Sequence, residues 1–162
     1  MVELPMSIRI LREPSSRVCP FITYFKGFER VKIVGRIFGE EAEKVLCSLV
    51  VEFTEETRYM KVSDIDGRLL VNPTYLENGD MVDLYLDVIH ELVHIRQFMN
   101  GRSLYEKDQS YVERETEIEA YQMAVMEARV LGLSDREICG YLESELLNNE
   151  ELAMLAKVLD VG

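Results

Sequence analysis

Between Asn78-Gly79-Asp80 and Asn100-Gly101 the chain reads Met81-Val82-Asp83-Leu84-Tyr85-Leu86-Asp87-Val88-Ile89-His90-Glu91-Leu92-Val93-His94-Ile95-Arg96-Gln97-Phe98-Met99. Met81, Leu84, Val88, Leu92, Ile95 and Met99 recur at steps of three and four, the period of one helix face. Asp80 supplies an N-cap and Asn100-Gly101 a C-terminal stop. The stretch is therefore predicted as one helix. His90 and His94 fall on the same face of it, about 5–6 Å apart at Cβ.

Working outward, Ser110-Tyr111-Val112-Glu113 has the capping-box pattern and is expected to open a second helix that ends near Leu131-Gly132. The loop between the two helices runs from about Arg102 to Gln109. Ser134-Asp135-Arg136-Glu137 repeats the pattern for a third helix, and a last one follows Asn148-Asn149. Upstream, Arg58 to Val62 and Arg68 to Val71 read as strands around the turn signal Asp64-Ile65-Asp66-Gly67. A hairpin turn fits that signal better than a calcium loop, because later ligands are missing. Asn72-Pro73 ends the second strand. Glu40 to Leu49 has helical spacing, and Leu49 to Phe53 is either its continuation or a strand. Val31 to Phe38 alternates Val31, Ile33 and Ile37 with Lys32 and Arg36, which predicts a half-buried strand. Residues 1–30 hold Pro5, Pro14 and Pro20 around two β-like runs, Ser7 to Leu11 and Phe21 to Phe25. They are expected to form an extended arm or an edge strand. Strands first and helices after give an α+β layout in a single domain over 1–162: a small mixed sheet with a backing helix, then the His90/His94 helix, a glutamate-rich helix and C-terminal helices.

Two imidazole nitrogens at this spacing can converge on one zinc ion at about 2.0–2.1 Å each. Glu91 lies beside such an ion, where a carboxylate can take a proton from an attacking water and return it to a leaving group. The chain's two histidines are both inside this H-E-x-x-H pattern. A catalytic zinc needs a third protein ligand and an open position. With no third histidine, and with cysteines poorly placed, a carboxylate from the next helix is expected. Glu117 leads the small and apolar stripe Ala120, Tyr121, Ala124, Ala128 and Leu131, where a carboxylate is costly to bury unless paired or metal-bound. Glu113, one turn earlier, is the runner-up. Glu115 and Glu119 share a more solvated face with Gln122, Met126 and Arg129.

His90-Glu91-Leu92-Val93-His94, followed by Glu117-Ile118-Glu119-Ala120, resembles the gluzincin clan of zinc metallopeptidases. The short chain and the strands before the helix are most similar to the minigluzincins. The likeness is carried by residues 68–125. It implies a zincin-like fold in which Arg68 to Asn72 is a strand next to the site helix. It also implies Zn2+ held by His90, His94 and Glu117, with Glu91 as general base. A tyrosine would stabilise the oxyanion, with Tyr111, Tyr121 and Tyr141 as candidates. The chain departs from the thermolysin-like pattern, which has an aspartate where Tyr121 stands.

The formal charge of −12, from 30 acidic and 18 basic residues, argues against nucleic acid or an anionic membrane as a main partner. Cys19, Cys47 and Cys139 are odd in number and form no CxxC pair, which suits a reducing compartment. Without a signal pattern or a long apolar run, a cytoplasmic protein is expected. The expected partner is a peptide or protein substrate. A homodimer through the stripe Ile138, Leu142, Leu146 is a further possibility. Two other functional readings stay open: a zinc-binding interaction or scaffold module, and a latent peptidase whose residues 1–30 cover the cleft.

Overall fold

The computed structural model describes residues 2–145 and 148–162. Its central element is the predicted helix, Met81–Met99. Asp80 caps it, its carboxylate accepting from the N–H groups of Val82 (3.0 Å) and Asp83 (3.1 Å). Every residue from Leu84 to Ile95 is buried. A helix enclosed all round belongs to the middle of a core. Each leucine it encloses completely, such as Leu84 or Leu92, contributes about 1.5–3 kcal/mol relative to exposure.

The strands are β1 (Arg9–Ile10), β2 (Val18–Pro20), β3 (Phe25–Lys26), β4 (Val50–Phe53), β5 (Met60–Val62) and β6 (Leu69–Val71). β1 and β3 form a two-stranded ribbon, and the other four make a sheet in the order β2-β4-β6-β5. β4 and β6 run parallel, whereas β2 against β4 and β5 against β6 are antiparallel, so the sheet is mixed. The helices are α1 (Phe21–Tyr24), α2 (Lys32–Phe38), α3 (Ala42–Ser48), α4 (Pro73–Asn78), α5 (Met81–Met99), α6 (Glu115–Leu131), α7 (Asp135–Glu145) and α8 (Asn149–Val158). The α+β expectation holds.

Several local expectations are corrected. Val31 to Phe38 is not a strand. Val34 breaks the alternation, and burying Ile33, Val34, Ile37 and Phe38 together requires the helical period that α2 adopts. Phe21 to Phe25 begins as the helical turn α1, after Pro20, and becomes extended only at β3. Within the N-terminal segment β2 is an edge strand, and Phe21, Phe25 and Phe28 are fully buried in the core. Asn72-Pro73 does more than end β6: the Asn72 carboxamide caps α4 at Thr74 and Tyr75. The second long helix starts later than the Ser110 pattern implies. Residues Tyr111–Glu113 form one 3-10 turn, Arg114 is extended, and α6 begins at Glu115. At Ser134 the capping box is realised in both directions: the Ser134 N–H donates to Glu137 Oε2 (2.8 Å) and the Glu137 N–H to Ser134 Oγ (3.2 Å). The stripe offered for dimerisation is internal packing, since Ile138 and Leu142 are fully buried; Leu146 lies outside the described residues. β6 is an inner strand, so β5, the edge strand beside α5, takes the place expected of Arg68 to Asn72.

Gly67 sits in the β5–β6 turn at φ 76°, and an added Cβ would lie 2.6 Å from the Phe98 ring. The turn signal thus also allows the hairpin to close against the end of α5. Among the described residues no helix is long and apolar enough to cross a membrane. The three cysteines are unpaired.

Candidate metal centre

α5 and α6 pack against each other along their lengths. Ala120, Ala124 and Ala128 on α6 are completely buried, and such small residues permit a close approach. At the start of that interface Glu117 meets the two histidines. Its Oε1 is 3.1 Å from His90 Nε2 and 3.1 Å from His94 Nε2, and the two nitrogens are 3.2 Å apart. His90, His94 and Glu117 are all at most 5% exposed. Glu91 Oε1 stands farther off, 4.0 Å from His90 Nε2. His90, Glu91 and His94 form a buried group that could hold a metal ion. Glu113 is exposed on the 3-10 turn, and Glu119 pairs with Arg102 at 2.6 Å on the outer side of α6.

Each histidine has a different environment. Gln97, one turn after His94, is buried and donates from Nε2 to the Thr116 carbonyl (3.0 Å). A carbonyl only accepts, so this bond fixes the amide and turns Gln97 Oε1 toward His94 Nδ1, 2.7 Å away. Nδ1 must then carry the proton, and in the neutral ring Nε2 is left with its lone pair facing Glu117 and His90. His90 Nδ1 is buried without a hydrogen-bond partner among the described residues. The His90 ring packs edge-on against Tyr121, with centroids 4.2 Å apart.

Charge follows this geometry. Burial alone would lower His94, but its bond to Glu117 and the carboxylates of Glu117 and Glu91 outweigh burial and raise it to about 9. Burial lowers His90. Burial would raise Glu117, yet the hydrogen bonds from both imidazoles hold it well below the usual carboxylate range. Without metal the three groups form a His94 imidazolium–Glu117 carboxylate pair beside a neutral His90. Burial pushes Glu91 up to about 8, against the opposing charge of His94.

Glu91 faces a cleft of about 340 Å³. Its walls are the entry to β5 (residues 57–60), Asp87, His90 and Glu91 of α5, Tyr111, Glu145 of α7 and Glu151 of α8. Of the three tyrosines proposed for oxyanion binding, Tyr111 lines the cleft. Tyr121 is buried behind it, sharing a 2.8 Å bond between hydroxyls, and Tyr141 is buried, donating to Asp87 at 2.8 Å.

Asp87 and Gln97 escaped the sequence reading. Both had a signal: each lies one helical turn from a motif residue, Asp87 before Glu91 and Gln97 after His94. Comparison with protein-family models, with curated proteins and with solved structures finds no match.

Proposed function

We propose that the protein is a zinc-dependent metallopeptidase of zincin-like architecture, with His90, His94 and Glu117 as metal ligands and Glu91 as general base. The observation that carries this reading is the triangle of donors. Three atoms bound to one tetrahedral ion at about 2.0–2.1 Å stand about 3.3 Å apart. The edges between His90 Nε2, His94 Nε2 and Glu117 Oε1 are 3.1, 3.1 and 3.2 Å. The donor set is two imidazoles and a carboxylate, which suits zinc and leaves a fourth position for substrate or water.

When bound there, zinc polarises a scissile carbonyl and lowers the pKa of water to about 7. The chain's own groups do the rest. Glu91 presents its unpartnered Oε2 and takes one proton from the attacking water as the C–O bond forms. It returns that proton to the amine nitrogen as the C–N bond breaks. The Tyr111 hydroxyl, kept protonated by burial, can donate to the oxyanion from the cleft wall.

The test uses purified protein. Wild type should bind one zinc and cleave unfolded polypeptide, and Glu91→Gln should bind zinc equally while losing cleavage by at least about a hundredfold. Zinc binding without cleavage by wild type would favour the scaffold reading instead.

A further inference from the structure

Four carboxyl groups line the cleft, those of Asp87, Glu91, Glu145 and Glu151, and Asp83 lies one turn before Asp87. Asp83, Asp87 and Glu91 follow one another at four-residue steps along α5, which places them on one helix face. Asp87 is 4% exposed and rigidly held. Tyr141 donates to its Oδ1 at 2.8 Å and Tyr75 donates to its Oδ2. Glu145, from α7, comes up against Asp87; burial, and then the Asp87 carboxylate, raise it to about 11. Glu151 adds a further carboxylate on α8. Among the described residues none of Asp87, Glu145 and Glu151 forms a salt bridge. The cation lining the cleft, Arg58, lies over the Tyr59 ring at 4.7 Å. A further observation concerns the same lining: Glu91, only 7% exposed, is a wall residue of this cleft and has its Oε2 without a hydrogen-bond partner among the described residues.

We propose that this cleft selects peptides with a lysine or arginine side chain next to the scissile bond, recognised by the carboxylates of Asp87, Glu145 and Glu151. The inference rests on the peptidase reading and adds the substrate class. An ammonium or guanidinium brings a positive charge and several N–H donors to carboxyl groups that, among the described residues, have hydrogen-bond donors at Asp87 and Glu151 but no cationic partner. Its charge favours the ionised form of Glu145, which burial and the Asp87 carboxylate otherwise oppose. An apolar side chain in the same place would strip water from carboxyl groups and give nothing back, and an acidic one would be repelled. The tyrosine bonds to Asp87 matter here because they fix the carboxylate before substrate arrives.

The experiment separates this inference from the peptidase reading by measuring binding as well as cleavage. Zinc-loaded Glu91→Gln protein is titrated with fluorescent peptides, acetylated and amidated, with Lys, Arg, norleucine or Glu at each residue flanking a central bond. Anisotropy gives Kd, and wild type is assayed for cleavage of the same peptides. Lys and Arg peptides should bind about tenfold tighter than norleucine peptides, an advantage that shrinks with salt. Adding Glu145→Gln or Glu151→Gln should reduce that advantage. Glu151 lies on a partly exposed helix face, so at least one of the two variants tests the site without disturbing the core. Equal binding of Lys and norleucine peptides overturns the inference, even if wild type cleaves both and the peptidase reading stands. Cationic preference without cleavage supports the carboxylate site and sinks the peptidase reading. A preference seen only when the peptide N-terminus is left free assigns the site to an α-amine and overturns the side-chain claim.

Discussion

Gln97 Oε1 accepts from His94 Nδ1 at 2.7 Å, and this one bond decides which nitrogen of His94 is available to a metal. The Thr116 carbonyl, from the first turn of α6, holds Gln97 in place. Gln97 is thus the link by which the packing of two helices sets the tautomer of His94, a proposed ligand. Gln97→Leu keeps the volume and loses the bond. It should weaken zinc binding by about 10–100-fold with little change in fold. Competition with a fluorescent chelator measures this, and unchanged affinity would remove Gln97 from the site.

The His94–Glu117 pair gives the metal-free protein a defined pH signature. His94 is raised from 6.5 to about 9, so its contribution is fully present below 6.5 and fades as pH rises through 9. Glu117 is shifted down, so its contribution is present above its ordinary value of 4.5 and fades as pH falls. The pair therefore stabilises most between these limits. Glu117→Gln should cost about 2 kcal/mol in chelator-treated protein at pH 5.5. The penalty should shrink toward pH 9. Urea unfolding at the two pH values tests this, and a penalty independent of pH would contradict the assignment of charge.

Glu145 gives a second pH signature. Its folded value of about 11 lies above its ordinary 4.5, so it favours the fold at low pH and opposes it increasingly as pH rises. Burial, Asp87, Glu91 and Asp83 all act in this direction. Glu145→Gln should match wild type near pH 4.5 and gain on it above that. The ceiling is about 1.4 kcal/mol per pH unit, and partial exposure will keep the slope well under it. Thermal melts from pH 4.5 to 8.5 show whether the two curves diverge; parallel curves would count against the buried acid pair.

Away from the cleft, Tyr85 is fully buried and donates to Glu127 Oε2 at 2.6 Å. Burial raises Glu127, and the tyrosine bond pulls it back down. Tyr85→Phe removes the donor and leaves a carboxylate short of a partner. It should destabilise by about 1–3 kcal/mol without altering zinc affinity, a combination that denaturation and metal titration together can check.

The parts of this fold that were legible in the sequence are those where a local rule and the tertiary structure agree. α5 has a cap, a period and a stop, and it forms over the range they mark. The helical phase of α6 separates Glu117, buried against the imidazoles, from Glu119, paired with Arg102 outside. α2 was illegible because Val31, Ile33 and Ile37 alternate with basic residues over the same short span that a helix turns twice. Only the burial of Val34 beside Ile33 distinguishes the two periods. Asp87 was missed for another reason. Its meaning depends on Tyr75 of α4 and on Tyr141 and Glu145 of α7, and no spacing rule within α5 encodes that meeting.

The enclosure of α5 has a consequence for how the protein is made. Both histidines ride on a helix anchored by its own apolar neighbours on every side, from Leu84 to Ile95. Small zinc domains that lack such an anchor fold only when the ion arrives. Here the scaffold of the proposed centre is assembled by the hydrophobic core, Gln97 orients His94, and Glu117 already meets both imidazoles. The chain should therefore complete its folding first and acquire its ion afterwards, and stripping and reloading the metal should be a reversible cycle on an intact protein.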